Sequence, residues 1–215
     1  MEWLNDNAQA ISAVTSILTL LVWLFYAQLL YNGYVRQRRP RVIINRGLGT
    51  GQHAMCLISN MSSESIYIQH VVAILHTQEQ SYMVDVAEYQ EEEKEDKQQE
   101  KSIRSHQGPL ASGDYLHMQR FTDIAEQIRA SWQLDNDTFD QTGLKLELRV
   151  IAIYGSEDRP IGASRSFYLN DPNTPSSSRP ALIPVSVDTK RLNGRLQRLK
   201  VKRWAEEIDN LETKR

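Results

Sequence analysis

The stretch "GLKLELRVIAIYG", residues 143–155, decides the fold class because it carries the most regular strand pattern in the chain. Apolar residues occupy every second position, at Leu144, Leu146, Leu148, Val150 and Ala152. Charged residues alternate with the first of them, at Lys145, Glu147 and Arg149. A period of two places one face of a strand on a core and the other in water. The stretch therefore predicts a half-buried antiparallel strand.

The residues after this strand predict its hairpin partner. "SEDRP" (156–160) has the composition of a turn, and "IGASRSFYL" (161–169) returns as a second strand. Apolar, β-branched and aromatic runs earlier in the chain predict further strands at 41–45, 54–60, 66–78, 81–89 and 115–121. Short strands with turns between them favour an antiparallel immunoglobulin-like β-sandwich over residues 42–170. The Cys, Trp, Cys pattern of antibody domains is absent, so the prediction concerns architecture alone.

One helix interrupts these strands. "FTDIAEQIRASWQ" (121–133) carries Ile124, Ile128 and Trp132 at helical spacing, and Thr122 or Asp123 is placed to cap it. We expect this short helix to cover one end of the sandwich.

A long apolar segment, residues 11–35, precedes the strands. No charged side chain lies between Asn7 and Val35, and residues 11–31 span about 32 Å as a helix, against a hydrocarbon core of about 30 Å. A cleavable signal peptide needs a basic start and a shorter apolar run. This chain starts with Glu2 and Asp6 instead. The segment therefore predicts one uncleaved transmembrane helix.

The flanks of the segment predict its orientation. The short N-terminal stretch, residues 1–10, has no Lys or Arg, whereas the juxtamembrane segment 36–41 is basic through Arg36, Arg38, Arg39 and Arg41. Positive flanks stay in the cytoplasm. We expect a single-pass membrane protein with its N-terminus outside and its C-terminal domain cytoplasmic.

One face of the apolar helix carries small and hydroxylated residues. At 100° per residue an arc of about 100° holds Ser12, Thr15, Ser16, Thr19, Trp23 and Tyr26. Small residues on one face suit close helix packing in lipid, which favours Ser12, Thr15, Ser16, Thr19 and Trp23 as contacts to another helix. In the alternative, the hydroxyls bond back to their own helix and the anchor stands alone.

Two segments are polar and lack periodicity. "EYQEEEKEDKQQEK" (88–101) predicts a charged loop over 88–107, either solvated or, in the alternative, an acidic docking surface for a basic partner. "DPNTPSSSRP" (171–180) is rich in Pro and Ser and predicts a linker over 171–187.

Residues 188–215 predict an amphipathic helix, basic first and acidic later, that starts near Asp188 or Thr189. Two apolar stripes run along it, and Gly194 weakens its first turns. Three interpretations compete: the helix folds back on its own domain, binds a partner or a second copy, or lies on anionic lipid. The candidate contacts to a partner or lipid are Arg191, Arg195, Arg198, Lys202 and Trp204.

The sequence offers little chemistry. "GLGTG" (47–51) precedes a strand and lacks the spacing of a phosphate loop, the five histidines lack metal-ligand spacing, and Cys56 lies in an apolar run typical of a buried residue. Asn60-Met61-Ser62 matches a glycosylation sequon, which a cytoplasmic domain would not use. We expect no enzyme activity, cofactor, metal, small-molecule ligand or nucleic-acid partner.

The features combine into a function. We expect a membrane-anchored, non-catalytic interaction or scaffold protein that presents a cytoplasmic β-sandwich to a protein partner or to a second copy. The alternative is a subunit of an oligomeric membrane channel or transport complex, in which the hydroxyl-bearing helix face packs in the assembly.

Overall fold

A computed structural model describes residues 7–37, 39–49, 51–90, 103–135, 138–139, 143–155, 157, 159–170 and 182–212. The chain divides into two compact units, Met1–Arg39 and Pro40–Arg215. The first is an apolar helix, and the second is a mainly antiparallel β-sheet domain with a helix at its C-terminal end.

The first unit consists of helix α1 (Ala8–Gln37). Its stretch Ala8–Val35 is long and apolar enough to cross a membrane, and none of that stretch is buried. The predicted apolar helix is confirmed, although it begins at Ala8 rather than Ile11. Residues 1–6, most of the predicted extracytoplasmic N-terminus, lie outside the described residues.

Short strands make up most of the second unit. They are β1 (Val42–Arg46), β2 (Met55–Asn60), β3 (Ile66–His76), β4 (Ser81–Asp85), β5 (Glu88–Gln90), β6 (Ile103–Ser105), β7 (Gly108–Leu110), β8 (Tyr115–Arg120), β9 (Lys145–Tyr154), β10 (Ile161–Tyr168), β11 (Ile183–Pro184) and β12 (Lys190–Leu192). The helices of this unit are a single 3-10 turn (Gly51–His53), α2 (Phe121–Trp132) and α3 (Arg195–Glu212).

The strands form two sheets and a ribbon. Sheet I has the order β1-β2-β8, and sheet II has the order β11-β10-β9-β3-β4, with β12 also paired to β10 and β7 to β3. β5 and β6 pair separately. Every described pairing is antiparallel. The predicted β9–β10 hairpin is confirmed, with Ile161 opposite Ala152.

One hydrophobic core joins the two sheets and α2. It contains Ile44 and Ile58 from sheet I, Leu146 and Leu148 from sheet II, and Phe121 from α2. The alternation in β9 therefore buries the face that the sequence predicted. Among the described residues, none before Pro40 contributes to this core, so the domain is packed without α1.

A second, smaller hydrophobic cluster lies on the opposite face of sheet II and is covered by α3. The helix supplies Val201, Trp204 and Ile208, and the other buried members are Val72, Ile74, Ile151 and Leu192. The C-terminal helix therefore folds back on its own domain, as one of the three interpretations held.

α3 begins at Arg195, not at Asp188 or Thr189. The residues expected to form its first turns instead form β12, which pairs with Gly162–Ser164 of β10. An unpaired strand edge offers backbone groups that such a segment satisfies. The helix starts only after Gly194, whose N–H donates to Gln197 Oε1 at 3.1 Å. The predicted linker is correspondingly shorter, because β11 already belongs to sheet II, and residues 171–181 lie outside the described residues.

Two other boundaries also differ from the sequence prediction. α2 begins at Phe121 directly after β8, with Arg120 at the N-cap and no side-chain cap, so neither Thr122 nor Asp123 caps it. The Phe121 N–H instead donates to the Ala54 carbonyl at 3.1 Å. Within the predicted loop 88–107, β5 pairs with β6, and residues 91–102 lie outside the described residues.

The registers define two ends of the domain. At the Pro40 end lie the start of β1, where Val42 faces Asn60, and the start of β3, where Ile66 faces Tyr154. β12 closes this end, with Leu192 opposite Gly162. At the other end, the His76 end, His76 faces both Ser81 and Lys145. The chain therefore enters the domain from α1 at the end where it also leaves β12 for α3.

Candidate functional site

The hydroxyl-bearing face of α1 is exposed over its length, and Trp23 is 69% exposed. Three of the predicted packing residues donate hydrogen bonds to carbonyls one turn earlier: Thr15 Oγ1 to Ile11 (2.8 Å), Ser16 Oγ to Ser12 (2.9 Å) and Thr19 Oγ1 to Thr15 (2.8 Å). These bonds satisfy the donors, while each hydroxyl oxygen keeps acceptor capacity. Packing of Ser12, Thr15, Ser16, Thr19 and Trp23 against another helix stays a prediction.

The four predicted juxtamembrane arginines are distributed over both units. Arg36 lies in the last turns of α1, and its side chain is outside the described residues, as is all of Arg38. Arg39 and Arg41 are exposed on either side of Pro40. The Arg41 N–H donates to Ser62 Oγ at 2.7 Å, which leaves its guanidinium on the surface of the Pro40 end.

The inward face of α3 is built around Trp204, which is only 7% exposed. The Arg149 guanidinium stacks over its indole, 4.4 Å from Cζ to the ring centroid. Gly162 of β10 permits the close approach of α3 to sheet II, because a Cβ at this position would lie 2.6 Å from Val201 Cγ2 and 3.3 Å from Trp204 Cζ3. Trp204 was predicted to contact a partner or lipid, but the structure places it against its own domain.

The start of α3 is held at the Pro40 end by three polar contacts. Asn193 Nδ2 donates to the Pro40 carbonyl at 3.3 Å. Arg198 Nε donates to the Asn193 carbonyl at 2.9 Å, and its guanidinium forms an ion pair with Glu157. Arg198, another predicted contact residue, is thus engaged within the domain. The first turns of α3 therefore lie beside the residue at which the chain enters the domain.

The outward face of α3 combines apolar and basic side chains. Leu196 is 83% exposed and Leu199 is 50% exposed. Exposed bases lie along the same turns and in the preceding strand: Lys190, Arg191, Lys200, Lys202 and Arg203. The Lys200 ammonium also lies over the edge of the inward face, 5.8 Å from the ring centroid of Trp204. Lys202 is 3.7 Å from Glu206 across one exposed turn, a pair that contributes little at the surface. The Arg195 side chain lies outside the described residues.

We call this surface the α3 patch: Leu196, Leu199, Lys200, Lys202, Arg203 and the adjoining Lys190. Of the five predicted contact residues, the structure brings Lys202 into it, whereas Arg191 is paired with the core residue Ala163 and lies on the other face of sheet II. Neither leucine was distinguished from the core stripe by the sequence, because both stand at helical spacing with Leu192. In the structure Leu192 belongs to β12 and is buried, whereas Leu196 and Leu199 belong to α3 and are exposed.

The ionisable groups beside α3 on sheet II are paired with one another. His76 Nε2 lies 3.0 Å from Glu147 Oε2, and Arg149 Nε donates to Glu147 Oε1 at 2.9 Å. Burial opposes ionisation of Glu147, but the hydrogen bonds and charges of Arg149 and His76 outweigh it and lower the pKa of that carboxyl. His70 Nδ1 lies 2.7 Å from Asp85 Oδ2. Each histidine is thus hydrogen-bonded to a carboxylate, and among the described residues no group of His, Cys, Asp and Glu could hold a metal ion.

Asn60 connects two loops at the Pro40 end. The residue is fully buried, and its Nδ2 donates to the carbonyls of Glu64 (2.9 Å), Leu110 (3.0 Å) and Ala111 (3.1 Å). Its Oδ1 accepts the Ser62 N–H. An amide enclosed in this way is not accessible for glycosylation in the folded protein. The sequon at this position is instead a structural hub, which sequence reasoning missed.

Arg165 and Cys56 are the other buried groups with chemical interest. The Arg165 guanidinium donates to the carbonyls of Ile44 and Val187 at 2.8 and 2.9 Å, and so ties β1 and the segment before β12 to β10. Burial lowers the pKa of Arg165. Cys56 is fully buried, and burial raises the pKa of its thiol to about 12. A thiol kept protonated and enclosed is inert, as the sequence predicted.

These observations assign structural work to Asn60 and Arg165, and they leave α1 and the α3 patch among the exposed surfaces of the chain. Comparison of the chain with protein-family models, with curated protein sequences and with solved structures finds no match.

Proposed function

We propose that this chain is a single-pass membrane protein whose domain, an immunoglobulin-like antiparallel β-sandwich, is a non-catalytic interaction module in the cytoplasm. The observation that carries the proposal is α1. Its apolar stretch Ala8–Val35 has no buried residue, although the domain core is complete without it. Such a length of apolar side chains is stable only in lipid or against other apolar helices.

The charges around α1 support the orientation. The basic residues that follow the apolar stretch include Arg39 and Arg41, whereas residues 1–7 contain no Lys or Arg. The positive-inside rule then keeps the domain in the cytoplasm. A reducing cytoplasm also suits Cys56, the single cysteine of the chain, which has no disulfide partner.

The arrangement of the domain supports binding rather than catalysis. Two antiparallel sheets share one core, which is the layout of a sandwich and supplies rigid loops and edges for recognition. The side chains of His76 and Glu147, and those of His70 and Asp85, are hydrogen-bonded to each other on sheet II. We therefore assign the domain to partner binding at the membrane, with either a different protein or a second copy as the partner.

The role of α1 is tested by exchanging residues 8–35 for an unrelated apolar helix of equal length in the full chain. A tethered module keeps its partner complex, measured by cross-linking and native size in mild detergent. If the exchanged chain loses the complex although it remains in the membrane, then α1 is part of the assembly, as in the channel or transport alternative.

A sharper form of this test uses matched triple variants. Ser12→Leu, Ser16→Leu and Thr19→Leu alter the hydroxyl face, whereas Val14→Leu, Ile17→Leu and Leu21→Ile alter the other face. If the hydroxyl face packs against a helix, the first triple lowers the native size and the second does not, because only close packing requires small residues. Equal sizes for both triples would show that α1 is a tether alone.

A further inference from the structure

The α3 patch has a composition that fits an anionic bilayer surface. Leu196 and Leu199 are exposed between basic residues, and lysines and arginines extend aliphatic stems that let apolar neighbours reach the acyl boundary. Each base close to an anionic membrane contributes an attraction that corresponds to about a fivefold change in binding constant. The patch thus combines the two terms that hold an interfacial helix on lipid.

Basic residues precede acidic ones along α3. The exposed bases Lys200, Lys202 and Arg203 come before Glu206 and Glu207, and the acidic side chains begin one turn later, where Glu206 lies 3.7 Å from Lys202. Because the helix starts at the Pro40 end, the positive half is the half beside the point where the chain enters the domain.

The tether restricts where this half can go. In the proposed topology the apolar stretch ends at Val35 and the domain begins at Pro40. Because α1 continues to Gln37, the connection reaches at most about 14 Å. The cytoplasmic leaflet next to such an anchor carries negative surface potential. A basic, leucine-bearing surface adjoining Pro40 is therefore within reach of the charge that complements it.

A further exposed apolar residue at the Pro40 end agrees with this location. Met61 is exposed, and its N–H donates to the Arg41 carbonyl at 2.8 Å, so that it adjoins a juxtamembrane arginine. At the His76 end the β3–β4 turn is polar, with Gln78, Glu79 and Gln80 exposed, while Leu48 after β1 is an exposed apolar residue there.

We infer that the α3 patch docks on the anionic inner face of the membrane, so that the domain is held at a second point and oriented with its Pro40 end toward the bilayer. The inference rests on the proposed anchoring and topology, and it identifies anionic lipid as a surface that the domain contacts. Trp204 and the inward face of α3 keep the helix on the domain, which leaves Leu196 and Leu199 for lipid.

The test places a fluorophore at the patch in the full chain. Native Cys56 is buried and stays unlabelled, so NBD is attached through Leu196→Cys, with the apolar label in the position of the leucine. The control label is on Glu79→Cys at the His76 end. Each protein is reconstituted into vesicles that contain lipids with a spin-labelled acyl chain, either in phosphatidylcholine alone or with about a third of phosphatidylserine, and quenching is measured.

The expected result is quenching at position 196 that rises with phosphatidylserine, with little quenching at position 79. Lys202→Gln with Arg203→Gln reduces the phosphatidylserine-dependent part, since two bases account for about a 25-fold change in binding constant. Equal quenching at both positions, or none at position 196, overturns the inference, as would be found if the patch bound an acidic protein instead. Extraction of the same vesicles at alkaline pH measures the anchoring of α1 separately. Protein that resists extraction but shows no quenching at position 196 refutes the docking alone. Protein that is extracted refutes the anchoring.

Discussion

Replacement of Trp204 by alanine tests whether α3 is an integral part of the domain. The indole is 7% exposed, lies within the cluster of Val72, Ile74 and Ile151, and is covered on one side by the Arg149 guanidinium at 4.4 Å. Removing the indole leaves a gap between α3 and sheet II. Gly162 of β10, which α3 approaches closely, has no side chain to fill that gap.

The magnitude follows from burial and stacking. A buried Trp→Ala change costs about 3–5 kcal/mol, and loss of a partly exposed cation–π contact adds about 0.5–1 kcal/mol. The cluster lies under a single helix near the surface and can relax, so we expect the lower part of this range, about 3 kcal/mol. Leu199→Ala is the matched control on the outward face, half exposed, and should cost less than about 0.5 kcal/mol.

The assay is urea unfolding of residues 40–215, followed by circular dichroism at pH 7, because these residues also contain Trp132 and fluorescence would not isolate Trp204. Hydrogen exchange supplies a second readout: amides in α3 should lose protection in Trp204→Ala while those in β9 keep it, since local opening precedes global unfolding. A change below about 1 kcal/mol, or equal effects of Trp204→Ala and Leu199→Ala, would refute the placement of α3.

Three further predictions concern other contacts of the domain. Gly162→Ala should cost about 1–3 kcal/mol in urea unfolding by pushing against Val201, and adding Val201→Ala should recover part of that loss; additive losses would contradict the close approach. The lowered pKa of Glu147 stabilises the fold above about pH 4.5, and this contribution is lost as pH falls through the folded pKa, so the urea midpoint of Glu147→Gln should lack that part of the acid dependence. Unchanged acid dependence would exclude a role for its pairing with Arg149. Asn60→Ala should cost about 3 kcal/mol because three carbonyls lose their donor, and a thermal or urea midpoint equal to that of the parent would refute the hub.

Elements with long, regular sequence patterns were predictable from the sequence. The apolar run of α1 and the alternation in β9 extend over enough residues that local chemistry alone sets the conformation. β11 and β12 have two and three residues, too few to show a period, and exist because the edge of β10 pairs with them. Their presence shifts the start of α3, which is why the sequence placed that helix too early.

The polar hubs and the division of α3 into two faces could not be predicted from one sequence. Asn60 bonds to carbonyls about fifty residues away, and Arg165 bonds to carbonyls in β1, so each role depends on the tertiary fold. Along α3, apolar residues occur in two phases. Packing against Gly162 selects the phase of Val201 and Trp204 and leaves Leu196 exposed.

The central claim is that α1 crosses a membrane with the domain on the cytoplasmic side, and thiol labelling of the full chain in intact cells tests it most directly. Cys56 is enclosed, with a thiol pKa of about 12, so the parent chain should not react with a membrane-impermeant maleimide. Asp6→Cys should be labelled in intact cells, and Glu207→Cys, exposed on α3, only after permeabilisation. Labelling of Glu207→Cys in intact cells, or protection of Asp6→Cys until permeabilisation, would contradict the account.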